Sequence, residues 1–369
     1  MRKKISISLI AILVIFSWAG ETTAQKNRLS QEFLNDIEVM ETVLDKLIKP
    51  NSHNVFWGNS NSKGFYLLDY GVIFNVHYSL LNDEMVEVKF DKLLRTGRAN
   101  TYIVKEEEEE KQKNEANLKK EIDQLKKSLS RFLGSYASSI RNLKTGENIT
   151  VIVDFNGFIG GFRRSFEDTP RQLIATVKIA DLKNYRQGKI SDSIFNKKIK
   201  FSKIDSFDED ISILGNVIKT SLEHADGSGG FGLSGDIKGV HLKGYGVLFI
   251  TDVNWGIGGM RQFFLGDNNK GSFSFSITSS DQDKSIKGME KDLKKLEHKL
   301  IRSVSNYGHT LRGLQPDEWV ELAVNFKSAV GKNRYSKSII KVKKKTIDDF
   351  YRDKINFKQF KNLVQIVYY

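Results

Sequence analysis

The chain is 369 residues long and carries 58 basic against 45 acidic side chains, a net charge of +13, with no cysteine. Without thiols there are no disulfides, no cysteine nucleophile, no thiolate metal site and no lipid anchor through a cysteine, so the fold must rest on its own core. The positive surplus argues for solubility and anionic partners, not for any particular fold.

At the N-terminus Arg2, Lys3 and Lys4 precede an apolar run over residues 5–19, and Thr22-Thr23-Ala24 follows it. Basic, then apolar, then small is the order of a secretory signal, and the run is short against the about 20 residues that span a bilayer. The pattern predicts a signal peptide over 1–24, a tail over 25–32 and Gln25 as the first mature residue; an uncleaved anchor is the competing reading. No later segment reads as a span, so the mature chain is expected without a transmembrane segment, in the periplasm or outside the cell. Removing residues 1–24 takes away three basic groups and Glu21 and leaves +11. The expected partners are an envelope protein, an anionic envelope polymer or a second copy of the chain; nucleic acid is a poor match for an exported protein.

The first predicted helix carries Ile37, Val39, Met40, Val43, Leu44 and Ile48 at steps of three and four, one face of a helix, and Pro50 ends it. An Asn/Ser-rich loop, 52–63, leads into a hairpin over 64–78, where Val72, Phe74, Val76 and Tyr78 alternate. The acidic run 106–110 suits the start of a solvated helix. The long, coiled-coil-like helix behind it shows the stripe Leu118, Ile122, Leu125, Leu129, Phe132/Leu133, Tyr136, Ile140 and Leu143. A strand with Ile149, Val151, Val153 and Phe155, a turn at Gly157, Gly160 and Gly161, a strand over 173–179 and a helical element over 181–199 complete the series.

The series then recurs. Asp210-Ile211 with Ile213, Leu214, Val217, Ile218 and Leu222 matches the first helix from Asp36-Ile37. A Gly-rich segment, 224–239, stands where the first loop stood. The hairpin 240–253, with Val247, Phe249, Thr251 and Val253, turns Tyr70-Gly71-Val72-Ile73-Phe74 into Tyr245-Gly246-Val247-Leu248-Phe249. After a polar segment, 267–283, the second long helix carries Met289, Leu293, Leu296, Leu300, Val304, Tyr307, Leu311 and Leu314, and residues 307–312 align with 136–141 without a gap. Val320, Leu322, Val324 and Phe326 mark a strand, followed by a strand over 338–342 and a helical element over 346–364. Self-similarity at this scale means duplication. The sequence thus predicts an α+β fold with antiparallel-type strands, in two tandem copies of a helix–hairpin–long helix–strand–strand–helix unit. The copies would span 33–200 and 207–369 with a linker at 201–206, related by a pseudo-twofold axis.

The closing element of the first copy, Gly188-Lys189-Ile190-Ser191 with Phe195, is similar to the turn of short helical-hairpin tails found on many bacterial proteins. That resemblance implies a role in oligomerisation. The second copy keeps Ile355 and Phe360 but has Asp353 and Asn356 for the Gly and Ser. Physically, the element reads as two short helices with Tyr185, Ile190 and Phe195 facing inward.

No catalytic constellation emerges. None of His53, His77, His224, His241, His298 and His309 has a second His at i+2 or i+4. The nucleophile elbow, the zinc-protease helix and the P-loop are absent. Ser-x-x-Lys occurs at Ser60/Lys63 and Ser338/Lys341, no more often than composition supplies. Catalytic, cofactor-binding and metal residues are therefore predicted as none, and no cofactor is implied. The Gly-rich stretch 227–235 reads as a flexible loop before it reads as an anion cradle.

Four candidate contact sites remain. A strand Gly marks a bulge or a close approach, so Tyr70, Gly71, Tyr245 and Gly246 are expected in a tight hairpin packed between the copies. Phe56 and Trp57 could stack on a sugar ring or a partner, or fold back on the core. Lys341, Lys343, Lys344 and Lys345, with Lys197, Lys198, Lys200 and Lys203 in the first copy, are candidates for an anion-binding face. The function expected is that of an exported envelope protein acting in binding or assembly rather than as an enzyme. The alternative is a hydrolase with its site between the copies, which focused polar asymmetry between them would signal.

Overall fold

The computed structural model describes residues 29–48, 62–78, 108–155, 158–159, 162–163, 170–205, 208–223, 231–233, 237–255, 279–328 and 336–369. The signal segment and the pair Phe56 and Trp57 lie outside the described residues. The chain divides into two compact units, residues 29–208 and 209–369. Each is mixed α+β. No helix among the described residues is long and apolar enough to cross a membrane.

The first unit starts with α1 (Gln31–Leu47), whose first turn is closed by Ser30 accepting from the Phe33 N–H at 3.3 Å. Its sheet contains β1 (Ser62–Leu67), β2 (Gly71–Tyr78), β3 (Asn148–Phe155), β6 (Gln172–Lys178) and β7 (Lys200–Ile204), hydrogen-bonded in that order. All neighbours are antiparallel except β2 and β3, which run parallel, Gly71 facing Asn148 and Tyr78 facing Phe155. A parallel pair needs a crossover, and α2 (Glu108–Arg131) supplies it. Two-residue strands β4 (Phe158–Ile159) and β5 (Phe162–Arg163) pair antiparallel as a separate two-stranded sheet. The helices α3 (Ile179–Arg186) and α4 (Asp192–Lys198) lead into β7. Ile37, Met40 and Leu44, the α2 residues Leu125 and Leu129, and the alternate strand residues Val72, Phe74, Val151 and Val153 form one core. Each such side chain contributes about 1.5–3 kcal/mol by leaving water.

The second unit also has one parallel pair at the centre of its sheet. Here α5 (Glu209–Glu223) precedes β8 (Phe231–Leu233), β9 (Lys238–Leu242) and β10 (Gly246–Trp255), and α6 (Ser279–Tyr307) crosses to β11 (Trp319–Ser328). β12 (Lys337–Lys343), α7 (Lys344–Tyr351), α8 (Phe357–Leu363) and β13 (Gln365–Tyr368) follow. β10 and β11 are the parallel pair, and β8 and β9 both pair antiparallel with β10. Leu214, Ile218, Leu296, Leu300, Phe249, Leu322 and Phe360 lie in this unit's core.

Four expectations need correction. The expectation is of antiparallel-type strands, but each sheet has one parallel pair at its centre. The 201–206 linker instead holds most of β7, an edge strand rich in exposed polar residues that carries little hydrophobic signal. The 224–239 loop contains β8 and the start of β9. The expected one-sided alternation is also incomplete, because both faces of the central strands are buried: Ile73, Ile152 and Ile174 in one unit, Leu248, Ala323 and Ile339 in the other.

Candidate functional site

Each Tyr-Gly pair sits at the tip of its hairpin, against the start of the parallel neighbour. Gly71 has φ +122° and Gly246 φ +146°, a region that favours glycine. A Cβ at Gly71 would lie 2.1 Å from the Asn148 carbonyl oxygen, and one at Gly246 would lie 1.9 Å from that of Trp319. The close approach has a partner: Asn148 N–H donates to the Tyr70 carbonyl at 2.8 Å and Trp319 N–H to the Tyr245 carbonyl at 2.9 Å.

The two tyrosines then meet different chemistry at matching register. Thr150 faces Thr176 across β3 and β6, and Glu321 faces Lys341 across β11 and β12. The Tyr70 hydroxyl lies 2.7 Å from Thr150 Oγ1, itself 2.9 Å from Thr176 Oγ1, a neutral chain; burial pushes the Tyr70 phenol pKa up. The Tyr245 hydroxyl donates to Glu321 Oε1 at 2.6 Å, and Lys341 Nζ lies 3.0 Å from that hydroxyl and 3.3 Å from Glu321 Oε1. Lys341 Nζ also stands 4.0 Å from the centre of the Trp319 ring.

This placement corrects the predicted anion face. The Lys341 and Glu321 side chains are 2% and 0% exposed, so Lys341 is a buried ion-pair partner and not a polyanion contact. Lys344 is buried and paired with Asp348. Lys343 donates to the Asp317 carbonyl and lies 3.8 Å above the Trp319 ring, while exposed Lys345 pairs with Asp349. Tyr245, Gly246, Lys341 and Lys343 are thus brought together; Lys344 and Lys345 turn onto α7.

A second site was missed in the sequence. α2 ends in a π-turn, Phe132–Tyr136, and a 3-10 turn. A groove of about 410 Å³ lies beside it, walled by Lys126, Lys127, Ser130, Arg131 and Gly134 and, across from them, by Tyr185, Asp192, Phe195 and Asn196. Its floor is the stacked pair Tyr185 and Phe195, 4.2 Å apart with planes 14° from parallel. The Tyr185 hydroxyl donates to Asp192 Oδ1 at 2.9 Å, which raises the phenol pKa. Gly134 lets the rings approach: a Cβ there would lie 3.0 Å from Phe195 Cε1. Lys127 and Arg131 are exposed and make no ion pair among the described residues. The legible signal was the polar stripe opposite the apolar one, with Lys120, Lys127 and Arg131 about one turn or two apart.

No protein-family model matches this chain, and no curated protein does. A solved structure, that of the sex pheromone staph-cAM373 precursor, is similar over 82% of this chain and 78% of its own, at 11% identity and a TM-score of 0.20. A likeness that slight carries no argument about this protein.

Proposed function

We propose that this is an exported, duplicated binding component of the cell envelope, whose contact surface is the open groove beside the π-turn. The observation that carries the reading is that groove: an aromatic floor under two exposed cations, Lys127 and Arg131, that make no ion pair among the described residues. Duplication is supported by matched details that packing alone does not demand. Both Tyr-Gly pairs hold positive φ against a parallel neighbour. Arg141 grips Asp36 at 2.9 Å through two nitrogens, and Arg312 grips Asp210 at 3.1 and 2.7 Å. Gly188 and Asp353 both take left-handed φ, and Ser191 and Asn356 both cap the helix that follows.

The hydrolase alternative draws on one observation, the charged Tyr245–Glu321–Lys341 cluster against the neutral Tyr70–Thr150–Thr176. Its burial and mutual pairing favour a structural role. Export is tested by intact mass: secreted protein should begin at Gln25, and a mass that includes residues 1–24 overturns it. Binding is tested by photocrosslinking in producing cells from benzoylphenylalanine at position 130, in the groove, and at position 358, an exposed control. Adducts from 130 alone are expected. No adduct, or equal adducts from both positions, rejects the groove as the contact surface. Turnover of chromogenic ester, phosphate or glycoside substrates that disappears in Glu321→Gln would instead install the hydrolase.

A further inference from the structure

We infer that the groove takes a peptide segment presenting an aromatic ring flanked by acidic side chains; this rests on the binding reading above. At the corresponding place in the second unit the chain supplies an aromatic ring of its own, that of Phe357. In the alignment of the two copies Arg302 falls at the position of Arg131, and Phe360 at that of Phe195. Phe357 occupies the position of Asp192. The Arg302 guanidinium lies 3.6 Å above the centre of the Phe357 ring. That ring stacks on Phe360 at 6.4 Å with planes 11° apart, and meets the His298 ring edge-on at 5.5 Å. A ring between an arginine and a phenylalanine therefore satisfies this architecture.

In the first unit the ring is missing. Asp192 replaces Phe357 and is tied to Tyr185; beside it Arg131 is exposed and the Tyr185 ring is half-buried, stacked on the buried Phe195. An incoming ring would take up the cation–π contact with Arg131 that Phe357 makes with Arg302, and would pack against the half-buried Tyr185 ring. The flanking charge follows from the rim. Lys126, Lys127 and Arg131 outnumber Asp192, and among the described residues only Lys126 of the three has an acidic neighbour, Asp123 at 3.6 Å. Acidic residues beside the ring would complement the two free cations. The π-turn widens the helix where the ring must enter, a distortion often found at functional positions. The volume, about 410 Å³, is within the range of small-ligand clefts.

The test is fluorescence polarisation of the full mature chain with a labelled peptide, Asp-Asp-Phe-Asp-Asp, and its Phe→Ala and Asp→Lys forms. Wild type should bind the parent peptide with a dissociation constant below roughly 1 mM. Asp192→Phe, which installs the ring of the second unit, should weaken binding about tenfold or more, and Arg131→Gln about fivefold. Both peptide changes should also weaken it. Failure of wild type to bind, or equal binding by both protein variants with unchanged melting temperatures, overturns the inference. Polygalacturonate serves as the competing class: binding of that polymer, blocked by Asp192→Phe, with no binding of the peptide, would assign the groove to an acidic polysaccharide and reject the peptide. If position 130 still crosslinks in cells while the peptide fails, the binding reading stands and only the occupant falls.

Discussion

Two glycines and one ion pair show how much a single side chain decides here. At Gly71 and Gly246 any Cβ would meet a carbonyl oxygen of the neighbouring strand, in a backbone region costly for L-residues. Gly71→Ala and Gly246→Ala should each cost about 2 kcal/mol or more. The control Gly146→Ala, with nothing near its Cβ and ordinary φ, should leave the melting temperature unchanged. Equal melting of all three would mean that the strands part without penalty. The expectation for valine at the two sites is the same in direction and larger. At Lys341 the geometry predicts an asymmetry between single and double changes. Lys341→Met strands the buried Glu321 charge and should cost about 3–5 kcal/mol, whereas adding Glu321→Leu should recover most of that. Urea denaturation of the two variants checks it; a double variant as weak as the single one would show that the polar pair is required as such.

Elements differ in how plainly the sequence announces them. The helices and central strands were legible because Leu, Ile, Val and Phe recur at the helical or strand period. What escaped were features without such a signal: the parallel pairing of β2 with β3, the polar edge strand β7, and the π-turn. Even the π-turn left a trace, since the stripe of α2 shows two consecutive apolar residues, Phe132 and Leu133, both fully buried. One residue too many on a buried face is what a widened turn accommodates. The groove was invisible because its walls come from helices about 70 residues apart in sequence, as with Lys127 and Asn196, and no local pattern joins them. The helical-hairpin turn teaches the converse. Asp353 departs from Gly188, and Asn356 from Ser191, yet the backbone is kept, because Asp tolerates positive φ and Asn caps helices well. Asn356 completes a capping box with Gln359; Asn356→Ala should therefore cost about 1 kcal/mol, measurable as a lower melting temperature. The clamps joining α1 and α5 to the turns after the long helices give a pH signature. Hydrogen bonds from Arg141 hold the Asp36 carboxyl below its ordinary value of 3.8, and Arg312 does the same for Asp210. Carboxyls lowered in the folded state contribute stability that is present above the unfolded value and lost as pH falls through the folded one. Arg141→Ala and Arg312→Ala should thus melt below wild type at neutral pH, and the gap should close as pH falls below 3.8. A gap that persists in acid would assign the effect to packing of the arginine stems.

For the molecule as a whole, net charge matters only where it can reach a partner. The surplus of +13 suggested two basic clusters, one closing each unit. The structure separates them. In the second unit Lys341 and Lys344 are buried and Lys345 is paired, so little of that cluster is available to an outside anion. In the first, Lys197, Lys200 and Lys203 are exposed, and among the described residues only neighbouring Lys198 of this cluster has an acidic partner, Asp181 at 3.8 Å. Exposed charges act over roughly 8 Å at physiological salt, so attraction through them should fall steeply as salt rises. Co-sedimentation with vesicles containing anionic lipid distinguishes the clusters. Changing Lys197, Lys200 and Lys203 together to Gln should weaken binding at low salt. Changing Lys343 and Lys345 to Gln should leave it near wild type, and high salt should abolish it for all three proteins. If the Lys343 and Lys345 variant loses as much as the triple variant, the charges bonded to Asp317 and Asp349 exchange those partners for lipid, and the folded ion pairs are weaker than their geometry implies.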